Sequence, residues 1–564
     1  MAGVEEPVGR VVPRLRSAAA ELRSGRTVLG TRSNGGEMRI AVALAALAVA
    51  TASLGQERPT EEELFGKPPA ESPQATGEEE QEPQPRQPEE RPGSPRPEEA
   101  ELFGGTGSPN AAPPPAEGIL PRDVADPLRL GGQLYLRAQA LWQEEVAPAD
   151  WSLSTPNLLD LWLDARPNDR VRAFTLARMR YDPTAPETDE SALPAAEQAL
   201  LTDATSTRGL VTGVRGPRVL LDQLWVNFDV GRHVFVTAGK QHVKWGVGKF
   251  WNPTDYLHPV RRDPLAVFDE RTGTTMVKVH VPWERRGWNA YGVALLEDVA
   301  GRVEPTNRVG RIGVGGRAEI VAGTVELGAD ALAQDGRRPR FGVDVSAGIW
   351  DLDVYAEAAL RTSRDAPRWT EVDPGAPLVA RYARDDPEGF TPAVVLGGSW
   401  SANYSDEDAL TVGAEYSFDD AGYDSKDVYP FLLAGAPELT GELAAPFRQR
   451  DPTAFRPFYL GRHYAGAFLL LPSPGRWNDT TVTLSVLGNL SDRSFVARLD
   501  HAVLALTYLR VESFVAASFG ARGGEFRLGL DVPLSDVAPG LPSDQAISVP
   551  APVLQLGLAL RVAL

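Results

Sequence analysis

Four arginines alternate along one short stretch of the chain. Arg170, Arg172, Arg178 and Arg180 fall on one side of residues 169–181, with Phe174 and Leu176 between them. Val171, Ala173, Thr175, Ala177 and Met179 fall on the other. In an extended strand, positions two apart share a face, so the four guanidiniums form a row that attracts anions. Asp160 and Asp164 share a face a few residues upstream. Two readings stand side by side. The arginines are an anion-attracting ladder, or they pair across strands with Asp160 and Asp164 and only stiffen a wall. Both can hold in a pore, because paired charges set up a transverse field. These six residues are the selectivity candidates.

A second constellation follows Lys240-Gln241: HVKWGVGKFWNPTDYLHPVRRDPLAVFDERTGTT. It sets Trp245, Phe250, Trp251 and Tyr256 beside Lys244, Lys249, Arg261 and Arg262. Trp245-Gly246-Val247-Gly248 is too short for a phosphate loop and lacks its GK[ST] ending. Asn252-Pro253-Thr254-Asp255 is a turn signal. So aromatic a loop is expected to fold into a lumen as a constriction or to latch onto a rim, the alternative being a packed external loop. Trp245, Lys249, Trp251, Asp255, Arg261 and Arg262 are the constriction candidates.

Other chemistry finds little support. The chain has no cysteine, hence no disulfide, thiolate metal site, cysteine nucleophile or acylated lipoprotein anchor. Its six histidines (His233, His242, His258, His280, His463, His501) show no HxH or HExxH spacing. Asp419, Asp420, Asp424 and Asp427 lack the spacing of a calcium loop. There is no G-x-S-x-G elbow and no nucleophile–base–acid set. No enzyme activity, cofactor or metal is expected. A net charge of −19, from 57 Lys+Arg and 76 Asp+Glu, argues against a nucleic-acid partner.

The elements that must carry these residues are strands. Leu554, Leu556, Leu558, Leu560, Val562 and Leu564 alternate with Gln555, Gly557, Ala559, Arg561 and Ala563, a period of two with one apolar face. The same alternation places Leu134, Leu136, Ala138, Ala140 and Trp142 together, and likewise Leu159, Leu161 and Leu163. Thr275, Val277, Val279 and Val281 end at Trp283, a girdle candidate. Leu352, Val354, Ala356, Ala358 and Leu360 oppose Asp351, Asp353, Tyr355 and Glu357, and Leu410, Val412, Ala414, Tyr416 and Phe418 continue the theme. A mean hydropathy of −0.23 excludes a polytopic helical membrane protein but not a barrel, whose strands show only alternate residues to lipid.

The expectation is an all-β, transmembrane, antiparallel up-and-down barrel over 119–564. Nineteen segments alternate. Even parity selects 18 strands, with 16 as second choice. Long breaks at 182–216, 242–272, 363–390 and 419–455 follow the third, fifth, eleventh and thirteenth strands. A loop at 533–552 fits only if one candidate between 456 and 532 is spurious, and 494–511 is the suspect.

Ahead of the barrel, Ile40–Leu54 is an apolar run with a basic flank and an Ala50-Thr51-Ala52 cleavage pattern. Residues 1–52 are therefore read as an upstream extension plus signal peptide, with Met38 a candidate start. Residues 53–118 form an acidic arm read as disordered: from Glu57 to Glu101 there are fourteen Glu and five Lys or Arg. Its tetrad ELFG occurs twice, making Leu64, Phe65, Leu102 and Phe103 docking candidates for a periplasmic partner; chance recurrence is the alternative.

The run Gly239-Lys-Gln241, Trp245-Gly-Val-Gly248, Trp251-Asn-Pro-Thr-Asp255 resembles a motif of bacterial outer-membrane barrels of the alginate-export-like group and related uncharacterised families. Asn489-Leu-Ser-Asp492-Arg-Ser494 with Ser518-Phe-Gly520 resembles it also, although Gly usually stands at the place of Arg493. The terminal strand resembles the barrel-assembly signal, departing from it at Leu564, where an aromatic residue is usual. The resemblance implies a pore-like barrel in the Gram-negative outer membrane, sometimes linked to export of acidic polysaccharide. Its expected partners are outer-membrane lipid and the barrel-assembly machinery. The leading expectation is a channel for polar solutes, anionic ones among them, or polysaccharide. The rival is a scaffold barrel that tethers an envelope complex through its arm.

Overall fold

The structure is a computed structural model. It describes residues 127–185 and 217–564, except 259–260, 268, 270, 298–308, 336, 362–367, 386–388, 406–407, 435–457, 538–542 and 545. The signal segment, the whole of the arm and both ELFG tetrads lie outside the described residues.

Eighteen strands close into one antiparallel barrel. In chain order they are β1 (Leu128–Gln143), β2 (Asn157–Asn168), β3 (Val171–Tyr181), β4 (Arg218–Val230), β5 (Val234–Gln241) and β6 (Thr274–Trp283). Then come β7 (Trp288–Leu295), β8 (Gly313–Ala322), β9 (Val325–Gln334), β10 (Arg337–Ile349), β11 (Leu352–Arg361) and β12 (Thr391–Asn403). The last are β13 (Ala409–Asp419), β14 (His463–Pro472), β15 (Thr480–Asn489), β16 (Ser494–Leu506), β17 (Leu509–Gly520) and β18 (Pro552–Ala563). Each strand pairs with the next, and β18 closes on β1 from Gln133↔Ala563 to Gln143↔Pro552. The Leu564 amide donates to the Gly132 carbonyl at 2.8 Å, so the final residue joins the seam.

Connections after even strands are short: 169–170, 231–233, 284–287, 323–324, 350–351, 404–408, 473–479 and 507–508. Every long connection follows an odd strand, so all gather at one end. The expected parity holds through the thirteenth strand. The surplus nineteenth candidate is not within 494–511, where Ser494–Leu506 is one full strand and the turn 507–508 leads into the next, Leu509–Gly520. It is Leu530–Pro533, which pairs with Ala546–Val549 as a hairpin inside the last long connection. That connection runs 521–551 rather than 533–552. Local alternation cannot separate a barrel strand from a hairpin in a loop.

The apolar faces point outward. Leu136, Leu161, Val343, Leu396, Leu484, Leu499 and Leu556 are exposed on the outer wall, as lipid contact requires. Large aromatics mark the short-turn end: Trp283, Trp400 and Trp477 are more than 45% exposed and Trp350 is 97% exposed, a girdle at the bilayer interface. Among the described residues, no helix is long and apolar enough to cross a membrane.

Strands about 4.8 Å apart and tilted about 40° give an 18-strand barrel a backbone radius of about 18 Å. Wall side chains cannot fill that width. Two further bodies are built from the long connections. At the long-loop end, segments within 368–385, 420–434 and 526–549, together with Leu460, share a hydrophobic core around Trp369, Tyr429, Phe431, Leu528 and Val537. Lower down, the connection 242–273 turns inward.

Candidate functional site

The inward loop is built on two wall carboxylates. Glu357 (β11) and Glu415 (β13) project into the lumen, opposite Asp344 and Gly397 in the ladders. Glu357 Oε2 accepts the amides of Val247 (2.9 Å) and Gly248 (3.0 Å). Its Oε1 accepts the Thr254 amide (2.7 Å) and hydroxyl (2.8 Å). Glu415 accepts the amides of Lys249 (2.7 Å), Phe250 (3.1 Å) and Trp251 (2.8 Å) and the Tyr355 hydroxyl (2.7 Å). Successive backbone N–H groups make an anion-binding concavity. The segment that fails as a phosphate loop therefore does cradle an anion, and the anion is the protein's own.

The glycines follow from that contact. Gly246 sits at φ 87°, and a Cβ there would meet Asn252 Oδ1, Glu357 Oε2 and Thr254 Oγ1 at 2.3–2.4 Å. A Cβ on Gly248 would meet the Trp251 carbonyl oxygen at 1.9 Å. Only glycine lets the backbone come this close.

Aromatic packing completes the loop. Trp245, Tyr256 and Leu257 are buried with Met276, Leu295 and Leu332 of the wall. Phe250 and Trp251 are buried with Tyr464, Phe468 and Leu487. The Trp251 indole donates to the Phe458 carbonyl (3.1 Å) and the Tyr256 hydroxyl to the Phe341 carbonyl (2.9 Å). Of the constriction candidates, Trp245 and Trp251 thus anchor the loop. Lys249 Nζ lies over the Phe468 ring at 5.5 Å and near Ser399 Oγ at 3.4 Å. Arg261 lies over the Tyr459 ring at 5.0 Å and 3.8 Å from Asp419. The Arg262 carbonyl accepts the Tyr459 hydroxyl at 2.7 Å.

Asp255 joins a buried charge cluster. It pairs with His258 Nδ1 (2.9 Å) and Arg271 (2.7 Å), and Arg271 also pairs with Asp269 (2.7 Å). Burial alone would raise the Asp255 carboxyl, but His258 and Arg271 hold it well below the usual range. Burial lowers the His258 imidazole against the pull of Asp255. Burial, reinforced by Arg262, pushes the Lys244 ammonium down to about 8.

The selectivity candidates occupy the wall beside the loop base. Arg178 pairs with Asp160 at 2.8 Å and with Asp222 of β4 at 3.3 Å, all of them buried. Asp222 also binds His242 (2.8 Å) and the Gly273 amide (3.1 Å) at the two ends of the loop. Arg172 pairs with Asp164 at 2.8 Å and lies over the Trp225 ring. Arg180 projects inward beside Arg218 at the long-loop end of β3. Arg170 lies in the turn after β2 and pairs with Asp229 at 2.9 Å, half exposed. Ion pairing and an inward row thus coexist.

The sequence reading did not single out Arg137 and Arg498, which flank the Phe514 ring at 5.0 and 4.1 Å, or Arg561, paired with Glu512 at 2.7 Å. They extend the arginine-bearing wall across β16–β18 and β1. Their signal was the polar face of the strands themselves. Glu357 and Glu415 were missed as anchors.

The second resembling patch forms a clasp at the loop end. Asp492 accepts the Ser494 amide (2.8 Å) and hydroxyl (2.6 Å) and the Glu525 amide (2.7 Å). Glu525 in turn accepts from the Tyr464 hydroxyl (2.5 Å) and Asn489 Nδ2 (2.8 Å). Burial pushes the Glu525 carboxyl up to about 8, against those bonds.

No protein-family profile matches the chain, and no curated protein matches it. Among solved structures, the chain is similar to OccK11 (OpdR) of Pseudomonas aeruginosa, at 10% identity and a TM-score of 0.40, covering 78% of this chain and 96% of that one. It is similar to OprB of Pseudomonas putida at high pH, at 9% identity and a TM-score of 0.39, covering 78% and 94%. It is also similar to a mutant porin of Rhodopseudomonas blastica, at 10% identity and a TM-score of 0.34, covering 78% and 100%.

Proposed function

We propose that the protein is an outer-membrane channel of a Gram-negative bacterium for polar solutes, with the 242–273 loop as its constriction. The observation that carries this is the loop's inward course, fixed to the wall by Glu357 and Glu415. An 18-strand barrel without such a loop is wide enough for a water-filled lumen. A loop tied to one wall narrows that lumen and sets cationic side chains, Lys244, Lys249, Arg261 and Arg262, at the narrow zone. The arginine-bearing wall runs from β16 round to β4. Together they support preference for anionic solutes, including segments of acidic polysaccharide, as the motif resemblance implies. Short turns and the start of β1 would face the periplasm.

Planar bilayers containing the refolded chain test this. Stable current steps with a reversal potential shifted toward the anion are expected, together with reversible block by a polyuronate. A correctly folded, heat-modifiable barrel that conducts nothing refutes the reading.

A further inference from the structure

The outer wall carries a groove of about 500 Å³ across β12–β16, toward the long-loop end. The ladders place Tyr416, Ala465, Gly488 and Phe495 side by side in one row of its lining. Ala414 and Ala467 are partners in the next row down. The alanines and the glycine form the floor. Tyr416 and Phe495 form the sides, and the Phe495 ring lies where a Cβ on Gly488 would be and stacks on Phe519 at 5.4 Å. Polar groups stand at the outer end of the groove. The Tyr416 hydroxyl lies 2.7 Å from His463 Nδ1 in an exposed pair. Arg493 stands in the turn between β15 and β16, two residues before Phe495. It is exposed, and among the described residues its guanidinium makes no hydrogen bond or ion pair. Its neighbour Asp492 is buried and accepts from Ser494 and Glu525 instead. Arg462, before His463, is matched by Asp424 at 2.9 Å.

We propose that this groove seats an acyl chain of a phosphorylated lipid of the outer leaflet, with the lipid's phosphate on Arg493. The inference rests on the outer-membrane reading, in which the long-loop end faces outward, and not on conduction. Small-molecule sites run to about 300–1,000 Å³, and the groove falls within that range. An unfilled apolar groove forfeits the dispersion contacts of its lining, and a flexible hydrocarbon chain supplies them. A guanidinium matches phosphate with two parallel hydrogen bonds. The rival occupant is a second barrel, because small residues let backbones approach closely in a membrane. A two-fold pair across this groove, however, would bring a second Arg493 to the same rim with no counter-charge. A lipid phosphate supplies that charge.

The test uses the refolded full chain, delipidated and held in detergent, with native mass spectrometry as the readout. The probes are lipid A carrying its phosphates and the same lipid with the phosphates removed. One phosphorylated lipid per barrel is expected, bound at least tenfold more tightly than the phosphate-free form. Arg493→Gly, which suits φ 62°, should lower binding of the phosphorylated lipid to the level of the other. Ala467→Leu fills the floor and should weaken both at least tenfold. Neither substitution touches the lumen, so both variants should stay heat-modifiable. Equal binding of the two lipids overturns the proposal, and so does binding within twofold of the unaltered chain in both variants. A lipid-free dimer that Ala467→Leu dissociates overturns it in favour of a second copy. A barrel that binds the lipid this way but passes no current would keep the site and refute only the channel reading.

Discussion

Replacing Glu357 by Gln keeps the side chain's shape and removes its charge. Glu357 receives four hydrogen bonds, two on each oxygen. A glutamine can accept only two of them, and its NH₂ must point at the other two donors. Hydrogen bonds to a charged group contribute about 1.5–3 kcal/mol each. Losing two weakens the loop's attachment by about 3–6 kcal/mol. At 1.4 kcal/mol per decade, the detached population rises about a hundred- to ten-thousand-fold. The barrel ladders do not use this carboxylate, so E357Q should remain heat-modifiable. Three readouts follow the loop itself: noisier single-channel current with larger sub-states, a red shift in the emission of Trp245 and Trp251, and faster tryptic cleavage after Lys249. If all three match the unaltered chain, the carboxylate cradle does not hold the constriction and the argument fails. Glu415→Gln, losing part of its set of three amides and the Tyr355 hydroxyl, should act in the same direction.

Arg178→Gln takes the cation from Asp160 and Asp222 in a buried site and should cost about 3–5 kcal/mol, whereas Arg170→Gln at the exposed turn should leave stability nearly unchanged. Equal shifts in the heat-modification midpoint would contradict this placement. Gly246→Ala forces a Cβ against Glu357 and Thr254 at φ 87° and should reproduce the E357Q current noise; a silent alanine would show that the loop does not approach Glu357 this closely. Lys244 gives a pH signature. Burial and Arg262 lower it to about 8 from 10.5, against Glu357, Asp255 and Glu415, which favour its charged form. Below pH 8 the folded state bears the cost of the buried charge. Between 8 and 10.5 the unfolded state binds more protons, so stability should rise with pH. Loop protection from trypsin should therefore increase from pH 8 to 9.5, and Lys244→Met should remove that slope; an unchanged slope places the titration elsewhere.

The barrel was legible because its signal is local. Alternation at Leu554–Leu564 or Leu352–Leu360 needs only neighbouring residues, and lipid outside plus water inside converts it into a wall. The loop's inward turn was legible in part. Four large aromatics in so short a stretch, among them Trp245 and Trp251, demand burial, and an apolar surface is not available in bulk solvent. What holds the loop was not legible. Glu357 and Glu415 stand on strand faces that read as merely water-facing, and they lie 103–110 and 164–166 residues beyond the amides they accept. No local pattern marks a carboxylate as a receptor for distant backbone. Arg493 carries the same lesson in reverse. It stands at φ 62°, in the left-handed region where the resembling pattern has glycine. The turn keeps its conformation because Asp492 ties Ser494 and Glu525, and because Gly520, at φ 92°, lets the Arg493 carbonyl come where a Cβ would lie 2.3 Å away. A non-glycine residue in the left-handed region is therefore held there by the residues around it, which no local pattern in the sequence marks.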